Sequence, residues 1–237
     1  RLENTLGTAL LDRGRLGAKP NELGELFYAH AQTMLDAAQA AVSSVQHGLD
    51  APSGLLRLSV STEMARELLA PHLAEYLRLY PDVSLDIQVN NERINMIQDG
   101  IDIALRAGTP DNDHVVAKKL CDIRFGLYAA PDYLNQTPPL HEPQDLHRHT
   151  LLYKYDGPAW RLHCQQKTFN LSGGKRFSCN DFHLIARLVD DGAGIALLPR
   201  IGHIIRPEWV PVLPDWQPES SPLHLLYYKN RGAVPAV

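Results

Sequence analysis

The chain has 237 residues, enough for one large or two medium domains. With 44% hydrophobic and 21% charged residues it has the balance of a packed soluble protein, which excludes a disordered tail. A formal net charge of -4 excludes a generic polyanion binder and leaves only a local basic segment as a candidate for nucleic acid.

Residues 1 to 20 are basic and glycine-bearing, with Arg1, Arg13, Arg15 and Lys19 spaced among Gly7, Gly14 and Gly17. They read as a helix end, a turn and a short loop. Asn21-Glu22 then has the form of a helix N-cap with an acidic first turn. A long helix without internal proline follows to about Gly48. Phe27, Ala31, Met34, Ala38, Ala41 and Val45 recur along it at spacings of four, three, four, three and four, the seam of a coiled coil. The alanines make that seam thin, and polar residues fill most other positions. A dimer helix is therefore expected here. "GLDAPSG" from Gly48 to Gly54 reads as a hinge-like linker.

Strands and helices alternate after the linker. Leu55 to Val60 has the period of a strand, Ala65 to Tyr80 that of a helix, and Val83 to Val89 again that of a strand. Arg93 to Asp99 reads as a short helix closed by Gly100. A strand begins at Ile101, one or two strands lie between Val115 and Ala130, and a short helix starts at Pro131. Pro138, Pro139 and Pro143 mark a loop. Thr150 to Tyr155 and Lys175 to Cys179 are strands. Asp181 to Asp190 is a helix capped by Asn180 or Ser178. Gly194 to Pro199 is a buried strand and Leu223 to Tyr228 the last one. This alternation predicts parallel sheets of an α/β fold, with ligands at the carboxyl ends of strands.

Ser61-Thr62 sits where the first strand turns into a helix. Two readings apply: side-chain capping of the first turn, or a ligand site at free N–H donors and a partial positive charge. No apolar run approaches the length of a membrane span, and the N-terminal stretch lacks the apolar core of a signal peptide. Cys121, Cys164 and Cys179 are odd in number and have no CxxC spacing, which fits a reduced, cytoplasmic compartment. His141, His147 and His149 are expected at the surface of a proline-rich loop. Metal-site spacing is absent, as are GxSxG, HExxH, P-loop and dinucleotide fingerprints. No cofactor, no metal and no enzymatic activity are expected.

Several stretches in fixed order resemble the LysR-type transcriptional regulators across nearly the whole chain. "RLENTLGTALLDR" is similar to the end of that family's recognition helix and the start of its wing. "PNELGELFYAHAQTML" resembles the start of its linker helix. "GLLRLSVS", "LAEYLRLYPDVSLDI" and "GIDIALRAG" resemble the opening of its effector domain, and "LYAAPDYL" and "LVDDGAGIALLP" its two crossings between subdomains. Compared with the family pattern, the sequence starts inside the winged helix-turn-helix, within the recognition helix. It ends before a closing helix, and it has Leu16 and Gly17 where arginines are common in the wing.

The resemblance implies a bacterial DNA-binding regulator that self-associates as a dimer or tetramer. Residues 1-20 would be the remnant of the winged helix-turn-helix, 21-50 the coiled-coil linker helix, and 51-237 an effector domain like a periplasmic binding protein. Lobe I would take about 55-127 and 203-237, and lobe II about 128-202. Arg1, Arg13, Arg15 and Lys19 would meet double-stranded DNA. A small polar or anionic effector would sit between two helix N-termini, at Ser61, Thr62, Asn180 and Asp181. Arg106 would clamp a carboxylate, with Asn90 and Asn91 as hydrogen-bonding partners. Phe125 and Tyr153 are either cleft walls or core. Glu63 and Asp181 would repel an anion and favour a cationic or hydroxyl group instead. The alternative expectation is a solute-binding protein of the same lobe fold acting in uptake.

Overall fold

The computed structural model describes residues 1–14, 17–28, 30, 31, 34, 35, 38, 52–92, 95, 96, 99–110, 115–155, 160–171 and 175–228. The N-terminal segment is more ordered than a helix end and a loop. Helix α1 (Leu2–Leu6) leads into an antiparallel hairpin of β1 (Leu11–Gly14) and β2 (Gly17–Pro20). Glu3 ties the two together: its carboxylate accepts the N–H groups of Leu10 and Leu11 and pairs with Arg13 at 3.0 Å. Those donors hold its carboxyl below the usual carboxylate range. Helix α2 (22–28) starts as expected, because the Asn21 side chain accepts the Gly24 N–H at 2.9 Å. Residues 30, 31, 34, 35 and 38 are also helical. Ala41, Val45, Arg15 and most of the expected hinge at 48–54 lie outside the described residues.

The rest of the chain builds two larger sheets. In the first, β3 (Gly54–Val60), β4 (Val83–Val89) and β5 (Ile103–Ala107) run parallel, and β15 (Ser221–Tyr228) pairs antiparallel between β5 and β6 (Val115–Ile123). Leu56 and Val60 of β3 are buried at a spacing of four, which keeps one face of the strand on the core. Between β3 and β4 lies one continuous helical segment: α3 (Thr62–Met64), a π-helical turn (Ala65–Leu69) and α4 (Ala70–Leu79). The π turn was not foreseen from the 3.6-residue period.

The second sheet has the order β11-β8-β12-β7-β13, with β7 (Phe125–Ala129), β8 (Leu151–Lys154), β11 (Lys175–Cys179), β12 (Ile195–Pro199) and β13 (Val210–Val212). Here β8 runs parallel to β11 and β12, while β7 runs antiparallel to both of its neighbours, β12 and β13. The expectation of purely parallel sheets is corrected: each sheet carries antiparallel strands where the chain crosses over and returns. A small sheet of β9 (Arg161–Cys164), β10 (Lys167–Asn170) and β14 (Gln217–Pro218) flanks it. Helices α5 (Pro131–Asn135) and α6 (Phe182–Asp190) and a 3-10 helix over Pro143–Arg148 complete the described elements.

The chain crosses from the first sheet to the second at Arg124, between β6 and β7, and returns between β14 and β15. A boundary at Leu127 therefore falls inside β7, and one at His203 precedes β13, which still belongs to the second sheet. The short helix expected at 93–99 lies partly outside the described residues. Its described residues, Asn95, Met96 and Asp99, are not helical; a turn ends the segment, where Ile101 N–H donates to the Met96 carbonyl at 2.9 Å and Gly100 takes φ 64.

The main core gathers Leu127, Leu146, Leu151, Ile185, Val189, Ile195 and Leu198 around the second sheet and reaches Val60 and Met64 of the first. His149 is 6% exposed rather than a surface residue, with its ring against Tyr133. Burial lowers its pKa. Helix α6 is capped by Asp181, whose carboxylate accepts the Leu184 N–H at 2.9 Å, and not by Asn180 or Ser178.

Candidate functional site

A cavity of about 330 Å³ opens where the two sheets meet. From the first sheet it is lined by Ser61, Glu63, Met64 and Asn91, by Arg106 with Ala107 and Gly108 at the end of β5, and by Ser221 at the start of β15. From the crossing and the second sheet come Ile123, Phe125, Lys154, Phe182 and Pro199. All but Met64 stand at or just beyond a strand end or a helix start, where turns leave room for a ligand.

The expected residues divide into three groups. Ser61, Asn91, Arg106 and Phe125 line the cavity. Thr62, Asn90, Asn180 and Asp181 stand behind it and hold the lining in place. Thr62 N–H donates to Asn91 Oδ1 at 3.1 Å, and Asn91 Nδ2 donates to the Asn180 carbonyl at 2.7 Å. One asparagine thus caps the first-turn helix of one sheet and fastens the loop of the other. The Ser61 side chain makes no capping hydrogen bond, so capping does not explain it. Asn90 Oδ1 accepts from Arg106 Nη2 at 3.1 Å. Asp181 is engaged in capping α6. Tyr153 lies elsewhere, buried and stacked on Trp160 with ring centroids 4.7 Å apart. Its hydroxyl is pushed up to about 12 by burial. The second aromatic wall is Phe182 instead, 6.3 Å from Phe125 between centroids.

Arg106 is half-buried, and burial lowers its pKa. It donates to the Leu105 carbonyl at 3.1 Å and to Ser59 Oγ at 2.7 Å, besides Asn90. Its Nε is buried without an acceptor among the described residues. Glu63 is 4% exposed, and its Oε1 accepts the Phe182 N–H at 3.3 Å, the first turn of α6. The Lys154 ammonium lies 5.3 Å from the centroid of the Phe182 ring.

Beside the cavity a second tie joins the sheets. Glu67, in the π turn, accepts the His203 N–H at 2.6 Å through Oε2 and meets His183 Nε2 at 2.9 Å through Oε1. Gly202 allows this approach, since a Cβ there would overlap the Glu67 carboxylate. Sequence reasoning missed Met64, Lys154, Phe182, Ser221 and the Glu67 tie. Phe182 had one usable signal, its place just after a helix cap.

The description "LysR substrate binding domain" matches residues 49–237. The chain belongs to the LysR-type transcriptional regulators. It is 31% identical to the HTH-type transcriptional regulator PtxR of Pseudomonas aeruginosa, over 98% of this chain and 76% of that protein. It is 29% identical to the HTH-type transcriptional activator TtdR of Escherichia coli, over 94% of this chain and 76% of TtdR. Among solved structures it is similar to CrgA, a LysR-type regulator from Neisseria meningitidis, with a TM-score of 0.67, 27% identity, and coverage of 100% of this chain and 82% of CrgA. The two sheets are accordingly the two lobes of an effector domain of the periplasmic-binding type. The relatives regulate transcription, so the uptake alternative falls.

The hairpin β1–β2 precedes the matched domain of this LysR-type regulator. Arg13 and Lys19 are exposed on the hairpin and Arg1 precedes α1, while Arg15 lies outside the described residues. Beyond α2, the helical residues Met34 and Ala38 are exposed, Met34 to 68%. Phe27 and Ala31 instead line a groove of about 390 Å³ shared with Leu2, Leu10, Leu11 and Pro20. Among the described residues no helix is long and apolar enough to cross a membrane.

Proposed function

We propose that the cavity between the lobes is the effector site, and that a small polar or anionic effector held there sets the geometry of the regulator on DNA. The observation that carries this reading is Arg106. A half-buried guanidinium at the cleft, hydrogen-bonded among the described residues only to neutral oxygens and with a buried Nε that lacks an acceptor among them, is arranged to receive an anion. Asn91, Ser61 and Phe125 complete the contacts. Lobe I takes β3 to β6 and β15, and lobe II takes β7 to β14.

An effector that touches both lobes favours one lobe arrangement over the other, and that difference in affinity is what it transmits. The exposed helical residues Met34 and Ala38 belong to the dimer seam, and two dimers form the tetramer. Arg1, Arg13, Arg15 and Lys19 contribute sequence-independent phosphate contacts beside the recognition helix. The protein works in the cytoplasm, on the chromosome.

The test is thermal unfolding of the chain against small carboxylic acids, amines, amino acids and sugars, with its mass in solution measured alongside. Binding to the folded state alone raises the melting temperature by mass action. A stabilising class on a dimer or tetramer supports the reading. A monomer that no compound stabilises would contradict it.

A further inference from the structure

Two charged groups on the cleft are left underpaired by the protein, and their signs are opposite. Arg106 spends its hydrogen bonds on neutral acceptors, and no carboxylate among the described residues pairs with it. With five N–H donors in the guanidinium, two directions remain for a ligand. Glu63 is nearly fully buried, yet its one hydrogen bond comes from the neutral Phe182 N–H, and no cation among the described residues pairs with it. A buried carboxylate is ordinarily matched by a cation or by several donors. The third charge on the lining, Lys154, is already placed over the Phe182 ring.

The two underpaired groups flank one turn. Asn90 holds Arg106, its neighbour Asn91 holds Thr62 N–H, and Glu63 follows Thr62 directly. Between the charges the cavity is walled by Met64, Ile123, Phe125, Phe182 and Pro199. Its volume of about 330 Å³ corresponds to roughly eleven waters at about 30 Å³ each. That suits a charged head with one apolar side chain of leucine or phenylalanine size.

We propose that the effector is a zwitterion, an amino acid with an apolar side chain, its carboxylate on Arg106 and its ammonium on Glu63. This rests on the reading of the cavity as the effector site. A sugar would leave both charges unmatched against an apolar wall. A simple carboxylate would leave Glu63 without a cation, and a simple amine would leave Arg106 without an anion.

The experiment is calorimetric titration of the full chain with leucine, methionine and phenylalanine, and with two leucine analogues that each lack one charge, 4-methylpentanoate and 3-methylbutylamine. At least one amino acid binds, and each leucine analogue binds at least about tenfold more weakly than leucine. Glu63→Gln still offers an acceptor to Phe182 N–H. It brings leucine down to the level of 4-methylpentanoate, with an unchanged melting temperature for the unliganded protein as the folding control. If 4-methylpentanoate binds as tightly as leucine and Arg106→Ala abolishes both, the zwitterion is wrong and the effector site stands. If no amino acid binds, the zwitterion is wrong. Binding that neither Arg106→Ala nor Glu63→Gln alters overturns the zwitterion and the effector site together.

Discussion

Replacing Glu67 by alanine removes two contacts from lobe II to the π turn of lobe I: the His203 N–H at 2.6 Å and His183 Nε2 at 2.9 Å. Hydrogen bonds to a charged group contribute about 1.5–3 kcal/mol each. The His203 amide is at the exposed end of the pair, and water replaces its partner, so its share falls below that range, to about 0.5 kcal/mol. His183 is half-buried and its Nδ1, 4.0 Å from Asp181 Oδ1, makes no hydrogen bond among the described residues, so losing the carboxylate leaves the ring without a hydrogen bond to any of them. Together the loss is about 2–3 kcal/mol. For a chain of this size each kcal/mol moves the melting temperature by about 2–4 °C, giving a drop of roughly 5–10 °C. Urea unfolding measures the free energy directly. Glu67→Gln keeps a carbonyl for His203 N–H and offers an N–H to His183, and so recovers about half of the loss. A Glu67→Ala protein within about 0.5 kcal/mol of wild type would refute the tie between the lobes.

Three further outcomes follow from the same geometry. Gly202→Ala places a Cβ on the Glu67 carboxylate at a residue with φ 48, so it lowers the melting temperature by a similar amount, and it still destabilises in the Glu67→Ala background, because the positive φ and the Cβ of residue 67 at 2.7 Å remain. For Glu67, burial pushes the carboxyl upward but is outweighed by the His203 N–H and by His183, leaving the folded value lowered. Its stabilisation is therefore present above the ordinary value of 4.5 and is lost as pH falls through the lower folded value, and the gap between wild type and Glu67→Ala in urea narrows on acidification below pH 4.5. Gly194→Ala sets a Cβ 2.5 Å from the Thr150 carbonyl, where the backbone of β12 passes β8, and destabilises lobe II by about 1–3 kcal/mol; an unaltered urea midpoint would show that the strands part at no cost.

The sequence was legible where a pattern is local. Strand β4 and strand β11 fall where the alternation of Val83 to Val89 and Lys175 to Cys179 places them. The N-cap at Asn21 and the left-handed Gly100 are equally local. The hairpin of β9 and β10 was not legible, because its residues are mostly polar and half-exposed and turn through Gln165 at φ 52, without a glycine signal. Short β13 and β14 carry prolines and run along edges. At the site, Arg106 and Asn91 could be placed from their strand ends. Phe182 and Lys154 could not, since which residues of lobe II face lobe I depends on packing between segments far apart in sequence. Tyr153 shows the converse: a lone aromatic beside a strand end went to the core, against Trp160.

The central claim is that one small molecule touches both lobes through the turns at Ser61 and Phe182. Hydrogen exchange on the chain, with and without the compound that stabilises it best, tests this directly. The account predicts slowed exchange in both helix starts, at Thr62–Met64 and at Phe182–Leu184, with Arg106→Ala erasing both effects. Protection confined to one lobe, or protection that survives Arg106→Ala, would contradict it.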